Sequence, residues 1–398
     1  MPDPFDLNLR HLRAIPQIVA RGSLVAAAET ANLSQSALTQ GLAKLERQLG
    51  VVLFDRRNDG MIATREGAAF SERLTTMFHY LGEGVPPAPR SARGFSRPDR
   101  LLTSAQLRSF VKLADAGSYV EAARQNEGAP SAIHRAVHDL EQIVGARLVE
   151  RRGRGLGLTS AGKRLARGIR LARAELEAAI EGVSPGAGER GRLVIGAMPL
   201  CRSWLLPAAL ATLISEVPRA QIDIVEGSWR ELIDPLRDGQ IHLMIGALRE
   251  DPVPYGLLQQ TLFVDRLSIV GRAGHPALKA GTGLAELAQY PWIIGRDRTP
   301  LRAHWQMMFS GFPEIRAPIA CGSVMTIRGI LLASDCLTLL SPDQVATEIE
   351  AGLLEHRDAI GERLTRPIGI ASRPAWRPTD LQKRFLEILH SVAANHHS

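Results

Sequence analysis

GSLVAAAETANLSQSALTQGLAKLERQLG, residues 22–50, decides the fold, because its frame returns later in the chain. Gly22-Ser23 reappears as Gly117-Ser118, Leu45-Glu46 as Leu140-Glu141 and Gly50 as Gly145. Beyond the stretch, Arg56, Thr64 and Gly67 return as Arg151, Thr159 and Gly162. Every pair lies 95 positions apart (22 to 117, 67 to 162). A constant, ungapped offset marks one duplicated folding unit, since drifting loops would not hold register.

The first copy reads as a short Ala-rich helix after Ser23, a turn at Asn32-Leu33, and a second helix capped by Ser34 and ended by Gly50. Leu38, Leu42, Leu45 and Leu49 recur on one face of that second helix. Small residues let the first helix lie close across the second, the arrangement of a helix-turn-helix. Ser34, Gln35, Ser36, Thr39 and Gln40 then offer amides and hydroxyls to base edges in a major groove. VVLFDRRNDGMIAT follows as a β-wing that carries Arg56 and Arg57 toward phosphates. In the second copy Ser118 and Glu121 suit a capping box. Its second helix opens on Ala129-Pro130-Ser131, without a cap hydroxyl but with proline where a helix tolerates it. The outward positions are Ser131, His134, Arg135 and His138, and the wing RRGRGLGLT brings Arg151, Arg152 and Arg154.

Charge supports the same partner. The chain of 398 residues has a net charge of +7; residues 1–189 hold 26 basic against 20 acidic side chains, and the remainder 22 against 21. The excess sits on the duplicated half, as a polyanionic partner requires. Three cysteines (Cys201, Cys321, Cys336) without CxxC spacing argue against a disulfide framework or zinc site and fit a reducing cytoplasm. No secretory signal or run of ~20 apolar residues is visible, so a soluble cytoplasmic chain without a membrane partner is expected.

Past the Gly/Pro-rich stretch 182–191 the pattern changes to strand–helix alternation: LVIGAM, WLLPAALATLISEV, IDIVEG, WRELIDPLRDG, HLMIGAL. RLSIVGR leads to a further α/β stretch from Pro291, so two α/β subdomains joined at a hinge are expected. The predicted organisation is a first winged helix-turn-helix domain at 5–82, a linker at 83–100 and a second winged domain at 101–162. A linker or dimerisation helix at 163–182 and an effector-binding domain at 190–398 complete it. In KRLARGIRLARAELEAAIEGV, Leu165, Ile169, Ala172, Leu176 and Ile180 form one apolar stripe; Phe70, Leu74, Met77 and Leu81 form a shorter one after copy one. Two arrangements stay open: the two helices pair inside one chain, or each pairs with its counterpart in a second chain.

LSQSALTQGLAKLERQLGVVLFDRR followed by TREG resembles the winged helix-turn-helix of the LysR-type transcriptional regulators, and LVERRGRGLGLTSAG is an even closer match. GRLVIGAMP, WLLPAAL, IDIVEG, LRDGQIHLMIGAL and VGRAGH are similar to the effector domain of that family. The resemblance implies a two-lobed periplasmic-binding-protein-like fold, a dimerising linker helix, an operator in double-stranded DNA, self-association to a dimer or tetramer, and contact with RNA polymerase. The second DNA-binding module departs from the family pattern.

In a two-lobed domain a ligand lies between the lobes, at strand C-terminal ends and helix N-termini. Pro199, Leu200, Cys201 and Arg202 occupy that place after the first strand, and Ser228 and Trp229 after the second. Gly295, Arg296, Asp297, Ser323 and Thr326 are the matching positions of the other lobe. Arg202 is read as the partner of a carboxylate and Trp229 as an apolar wall, so a small organic acid is the expected effector. Two rivals are a thiol redox sensor built on Cys201 with Cys321 or Cys336, and an enzyme using Cys201 as nucleophile. No motif supports catalysis or a metal site, and no cofactor is expected.

Overall fold

The computed structural model describes the whole chain except residues 1, 58–59, 88–96, 125–127, 154, 187, 250–252, 254–255, 280, 298, 313, 360–363 and 397–398. The first module comprises α1 (Leu9–Arg21), α2 (Leu24–Thr30), α3 (Gln35–Leu49), a wing of β1 (Phe54–Arg57) and β2 (Gly60–Ala63), and α4 (Arg65–Gly84). The second repeats it as α5 (Ser104–Ala116), α6 (Tyr119–Arg124), α7 (Pro130–Val144), β3 (Val149–Arg152), β4 (Gly155–Leu158) and α8 (Ser160–Val183).

Each repeated residue has the same local task twice. Ser23 Oγ accepts from Ala26 N–H at the start of α2, and Ser118 Oγ accepts from Glu121 N–H at the start of α6. The Glu121 carboxylate reaches Arg124 at 3.1 Å. Leu45 and Leu140 are buried, while the adjoining glutamates tie the helix to its wing: Leu53 N–H donates to Glu46 Oε1 at 2.8 Å, and Leu148 N–H to Glu141 Oε1 at 2.7 Å. Thr64 and Thr159 cap α4 and α8 by accepting from the N–H of Gly67 and Gly162, each at 3.0 Å. Those glycines cannot be replaced cheaply, because a Cβ at either would collide with the carbonyl oxygen of Leu53 or Leu148. Thr159 starts α8 at Ser160, ahead of the expected residue 163.

The two apolar stripes meet each other. Phe70, Leu74, Met77 and Leu81 of α4 and Leu165, Ile169, Ala172, Leu176 and Ile180 of α8 are buried in one core that both modules share. The pairing is antiparallel: Arg73, midway along α4, reaches Glu175 at 3.2 Å, whereas Gly84 at the end of α4 lies backbone to backbone against Gly168, earlier in α8. The helix starts, and with them the modules, therefore lie at opposite ends of the pair. Reciprocal contacts complete a pseudo-dyad. Arg13 of α1 reaches Asp99 at 3.3 Å and stacks on Phe78; its counterpart Arg108 of α5 reaches Asp6 at 2.6 Å and lies over Phe5. Self-complementary contacts of this kind are the signature of a two-fold interface, here folded into one chain.

The rest of the chain forms two α/β lobes. Lobe one is a five-stranded sheet in the order β6-β5-β7-β14-β8, made of β5 (Arg190–Ala197), β6 (Arg219–Glu226), β7 (Leu243–Ala247), β8 (Leu258–Arg266) and β14 (Thr365–Ser372). It packs against α9 (Leu205–Glu216), α10 (Trp229–Arg237) and α15 (Asp380–His396). Lobe two has the order β11-β10-β12-β9-β13, from β9 (Ser268–Arg272), β10 (Trp292–Ile294), β11 (Ile319–Ala320), β12 (Leu337–Leu340) and β13 (Leu354–Asp358). Its helices are α11 (Leu284–Leu287), α12 (Pro300–Met308), α13 (Val324–Leu332) and α14 (Ala346–Glu350). The chain passes between lobes after β8 and again before β14, and Leu267 N–H donates to Leu364 O to join the two crossings. Lobe one docks on the paired helices. Arg167 and Arg170 of α8 both reach Asp238, and Arg170 also reaches Asp115 at the end of α5. Among the described residues no helix is long and apolar enough to cross a membrane.

Gly168→Val should separate α4 from α8, since a Cβ there would lie 2.6 Å from the Gly84 Cα and 2.7 Å from Tyr80 O. Overpacking of this kind costs roughly 1–3 kcal/mol. A lowered melting temperature with loss of DNA binding is the expected outcome in thermal denaturation and gel-shift measurements. Gly82→Ala, which meets nothing within 4 Å, should be neutral or slightly stabilising.

Candidate nucleic-acid interface and interlobe pocket

The reading helices take their geometry from their caps. Ser34 Oγ accepts from Ala37 N–H at 3.2 Å, which engages its hydroxyl at the start of α3. Asn32, at φ 53°, turns the chain from α2 into α3 through the left-handed region that asparagine tolerates. Gln35, Ser36 and Gln40 are exposed, whereas the Thr39 hydroxyl donates to Gln35 O at 2.8 Å. Ser36 Oγ lies 3.1 Å from Ser34 Oγ. Helix α7 follows the N-cap residue Ala129, which makes no side-chain cap bond, and Ser131, His134, Arg135 and His138 are exposed along it. The His134 ring packs on Tyr119 with centroids 5.2 Å apart. In the wings Arg56, Arg57 and Arg151 are exposed; Arg152 is held by Glu150 at 2.9 Å, and Arg154 lies outside the described residues.

Between the lobes is a cleft of about 710 Å³, a size suited to a small ligand. Pro199, Leu200, Ser228, Trp229, Gly295, Arg296 and Asp297 line it, together with Met198, Arg230, Arg249, Cys321, Arg302 and Arg366. Two of its cations are neutralised inside the protein: Arg302 by Asp297 at 3.1 Å and Arg366 by the buried Asp265 at 2.7 Å. Glu231 is engaged too, accepting from Ser228 N–H at 2.8 Å and Ser228 Oγ at 2.7 Å, which holds its carboxyl below the usual range. Arg230 and Arg249 form no ion pair among the described residues, and the charge of Arg296 acts on Glu231. Arg249 stands 5.3 Å from the Trp229 ring, and burial beside Arg230 lowers its pKa. Guanidinium groups beside an indole wall can attract a negative charge and stack an apolar face.

Four expected pocket residues are placed elsewhere. Cys201 is fully buried behind the cleft, its thiol donating to Met198 O and facing Ile245 O. Burial pushes that thiol up to about 12, so it is protonated at neutral pH and is no nucleophile. Arg202 pairs with Glu226, not with a carboxylate in the cleft. Ser323 spends its hydroxyl capping α13, accepting from Thr326 N–H at 3.3 Å, and Thr326 Oγ1 lies 3.1 Å from it. Their neighbours Gly322 and Val324 face the cleft instead. Arg249 was reachable from the sequence, since it lies two residues past the end of β7. Arg366 comes from the returning strand β14, a placement that only long-range pairing creates.

Two family models match the chain. Residues 186–394 fit the LysR substrate binding domain, and residues 9–68 and 104–163 each fit the bacterial regulatory helix-turn-helix protein of the lysR family. The chain belongs to the LysR family of transcriptional regulators. It is similar to the HTH-type transcriptional regulator GalR of Pseudomonas putida, 30% identical over 370 residues that cover 92% of each chain. The unmatched remainder is shorter than one module, so that match spans both copies. The HTH-type transcriptional regulator PcaQ of Agrobacterium fabrum is 26% identical over 285 residues, 71% of this chain and 92% of its own. Among solved structures, ArgP from Mycobacterium tuberculosis superimposes with a TM-score of 0.56 at 19% identity, covering 73% of this chain and 96% of that one. A full-length OxyR variant from Pseudomonas aeruginosa gives 0.55 at 21%, covering 73% and 94%. These likenesses concern the fold. The chain is a LysR-family regulator with a helix-turn-helix region and a substrate-binding domain. Among its described residues no cluster of His, Cys, Asp and Glu is arranged to hold a metal.

Thiol titration checks the placement of Cys201. In the native protein at pH 8 an aromatic disulfide reagent should modify the half-buried Cys321 and leave Cys201 unreacted until denaturant is added. Rapid native labelling of Cys201 would contradict its burial.

Proposed function

We propose that one chain presents both winged modules to a single operator as an internal pair, and that an organic anion held between the lobes modulates this contact. The α4–α8 pairing carries the reading. In it the seam that the resemblance assigns to dimerisation is already filled by the chain's own second copy, which favours the intramolecular arrangement over the intermolecular one. The helix starts lie roughly 35 Å apart at ~1.5 Å per residue, on the order of one turn of duplex DNA. In this reading Gln35, Ser36 and Gln40 of α3 and Ser131, His134, Arg135 and His138 of α7 meet base edges. Arg56, Arg57, Arg151 and Arg152 meet phosphates. Ser34 and Thr39 position α3, since their hydroxyls are engaged by backbone.

Self-association then falls to the effector domain, where β6 is an edge strand with Ile224 and Val225 exposed. Ligand binding changes the angle between the lobes, and Arg170, bridging Asp238 and Asp115, passes the change to the second module. The shift in DNA contact recruits or excludes polymerase. The ligand must bind the two arrangements with different affinity. The redox alternative has less support: Cys201 lies in the core of lobe one and Cys336 in a core of lobe two.

Footprinting of the intact protein tests the paired reading. Gln35→Ala with Gln40→Ala, and separately Ser131→Ala with Arg135→Ala, should each erase part of one extended footprint. If only one pair of changes alters the footprint, the other copy is not a reader. For the pocket, a panel of small carboxylates should include one that raises the melting temperature of the wild type in proportion to its occupancy. That shift should vanish in Arg249→Ala; an equal shift in the variant would remove Arg249 from the site.

A further inference from the structure

The duplication holds the two reading helices in register, so each outward position on α3 has a counterpart on α7 that differs only in its side chain. The side chains are not alike. At the position one turn into the helix, copy one has Gln40 and copy two has Arg135. The preceding position pairs Thr39 with His134, and the next outward one pairs Ala43 with His138. Gln40, His134, Arg135 and His138 are all exposed. Arg135 forms no ion pair among the described residues, including with Asp139 one turn further on.

A carboxamide both donates and accepts, which matches the N6 donor and N7 acceptor of adenine. A guanidinium only donates, and it matches the O6 and N7 acceptors of guanine. The histidines add further ring N–H donors on the same face of α7 and have no equivalent on α3. We infer that the two halves of the operator differ in sequence, with an adenine read opposite Gln40 and a guanine read opposite Arg135. This inference rests on the reading that both modules contact DNA.

Two identical chains related by a dyad would present identical heads and would select inverted copies of one half-site. Here the two heads of one chain are covalently distinct, so the stretch that one chain reads is not a palindrome and the chain binds it in one orientation. The effector domain attached to α8 is thereby given a fixed direction along the DNA.

Selection from randomised duplex DNA with the intact protein, repeated with Arg135→Gln and Gln40→Arg, tests this. Both changes lie on exposed positions, and an unchanged melting temperature verifies folding. Wild type should enrich two half-sites, one containing the adenine and the other the guanine. Arg135→Gln should change the base preference at one position of the second half by roughly ten- to a hundredfold and leave the first half as it was. Gln40→Arg should do the reverse. Enrichment of inverted identical halves, or exchanges that leave base preference unchanged, would overturn the inference. Enrichment of a single half-site by all three proteins would sink the underlying two-reader reading and this inference with it.

Discussion

Everything in the N-terminal half follows from how closely α4 and α8 can approach. Their backbones touch at Gly84 and Gly168, where neither residue brings a side chain. That contact sets the register in which Phe70, Leu74, Met77 and Leu81 bury against Leu165, Ile169, Ala172, Leu176 and Ile180. Burial of such side chains stabilises by roughly 1.5–3 kcal/mol each when complete, so the seam outweighs any single surface ion pair around it. An antiparallel seam leaves the modules at opposite ends and makes one chain equivalent to a symmetric pair.

The surrounding charges refine that arrangement. Arg13 and Arg108 do the same work on either side of the pseudo-dyad, each holding the segment that precedes the other module. Symmetry breaks where the effector domain docks. Arg170 has neighbours in both α5 and lobe one, and Arg377 reaches Glu72 on α4 at 2.7 Å. Glu175 is buried against Arg73, and its burial raises its pKa despite that cation. Lobe one is therefore tied to both linker helices. The cleft itself brings Arg230, Arg249 and Arg296 together beside the Trp229 wall.

Much of this was legible in the residues alone. The constant offset announced a duplicated unit, and most of the repeated residues proved to be caps, helix-to-wing ties or glycines under a carbonyl, with Leu45 and Leu140 in the core. Such local tasks are set by neighbours in sequence, and so they leave a local signature. The apolar stripes of α4 and α8, and the alternation of strands and helices beyond residue 190, were equally visible as periodicity. The pocket was legible only in part. Pro199, Ser228, Trp229 and Arg296 follow from the rule that strand ends face the cleft. Cys201 and Arg202 defeated it, because a 3-10 turn at Pro199–Arg202 rotates the thiol into the core and the guanidinium toward Glu226.

By itself, then, the sequence determined the tandem winged modules, the two α/β lobes and the family, because caps, periodicity and turn chemistry act over a few residues. Tertiary structure alone decided that the two apolar stripes pair with each other inside one chain, since each stripe is apolar enough to pair with either partner and contacts such as Gly84 against Gly168 and Arg73 with Glu175 arise only in the packed fold. It also decided which cations face the cleft uncompensated. That property depends on distant carboxylates such as Asp265 and Glu226, whose positions arise from sheet pairing far along the chain.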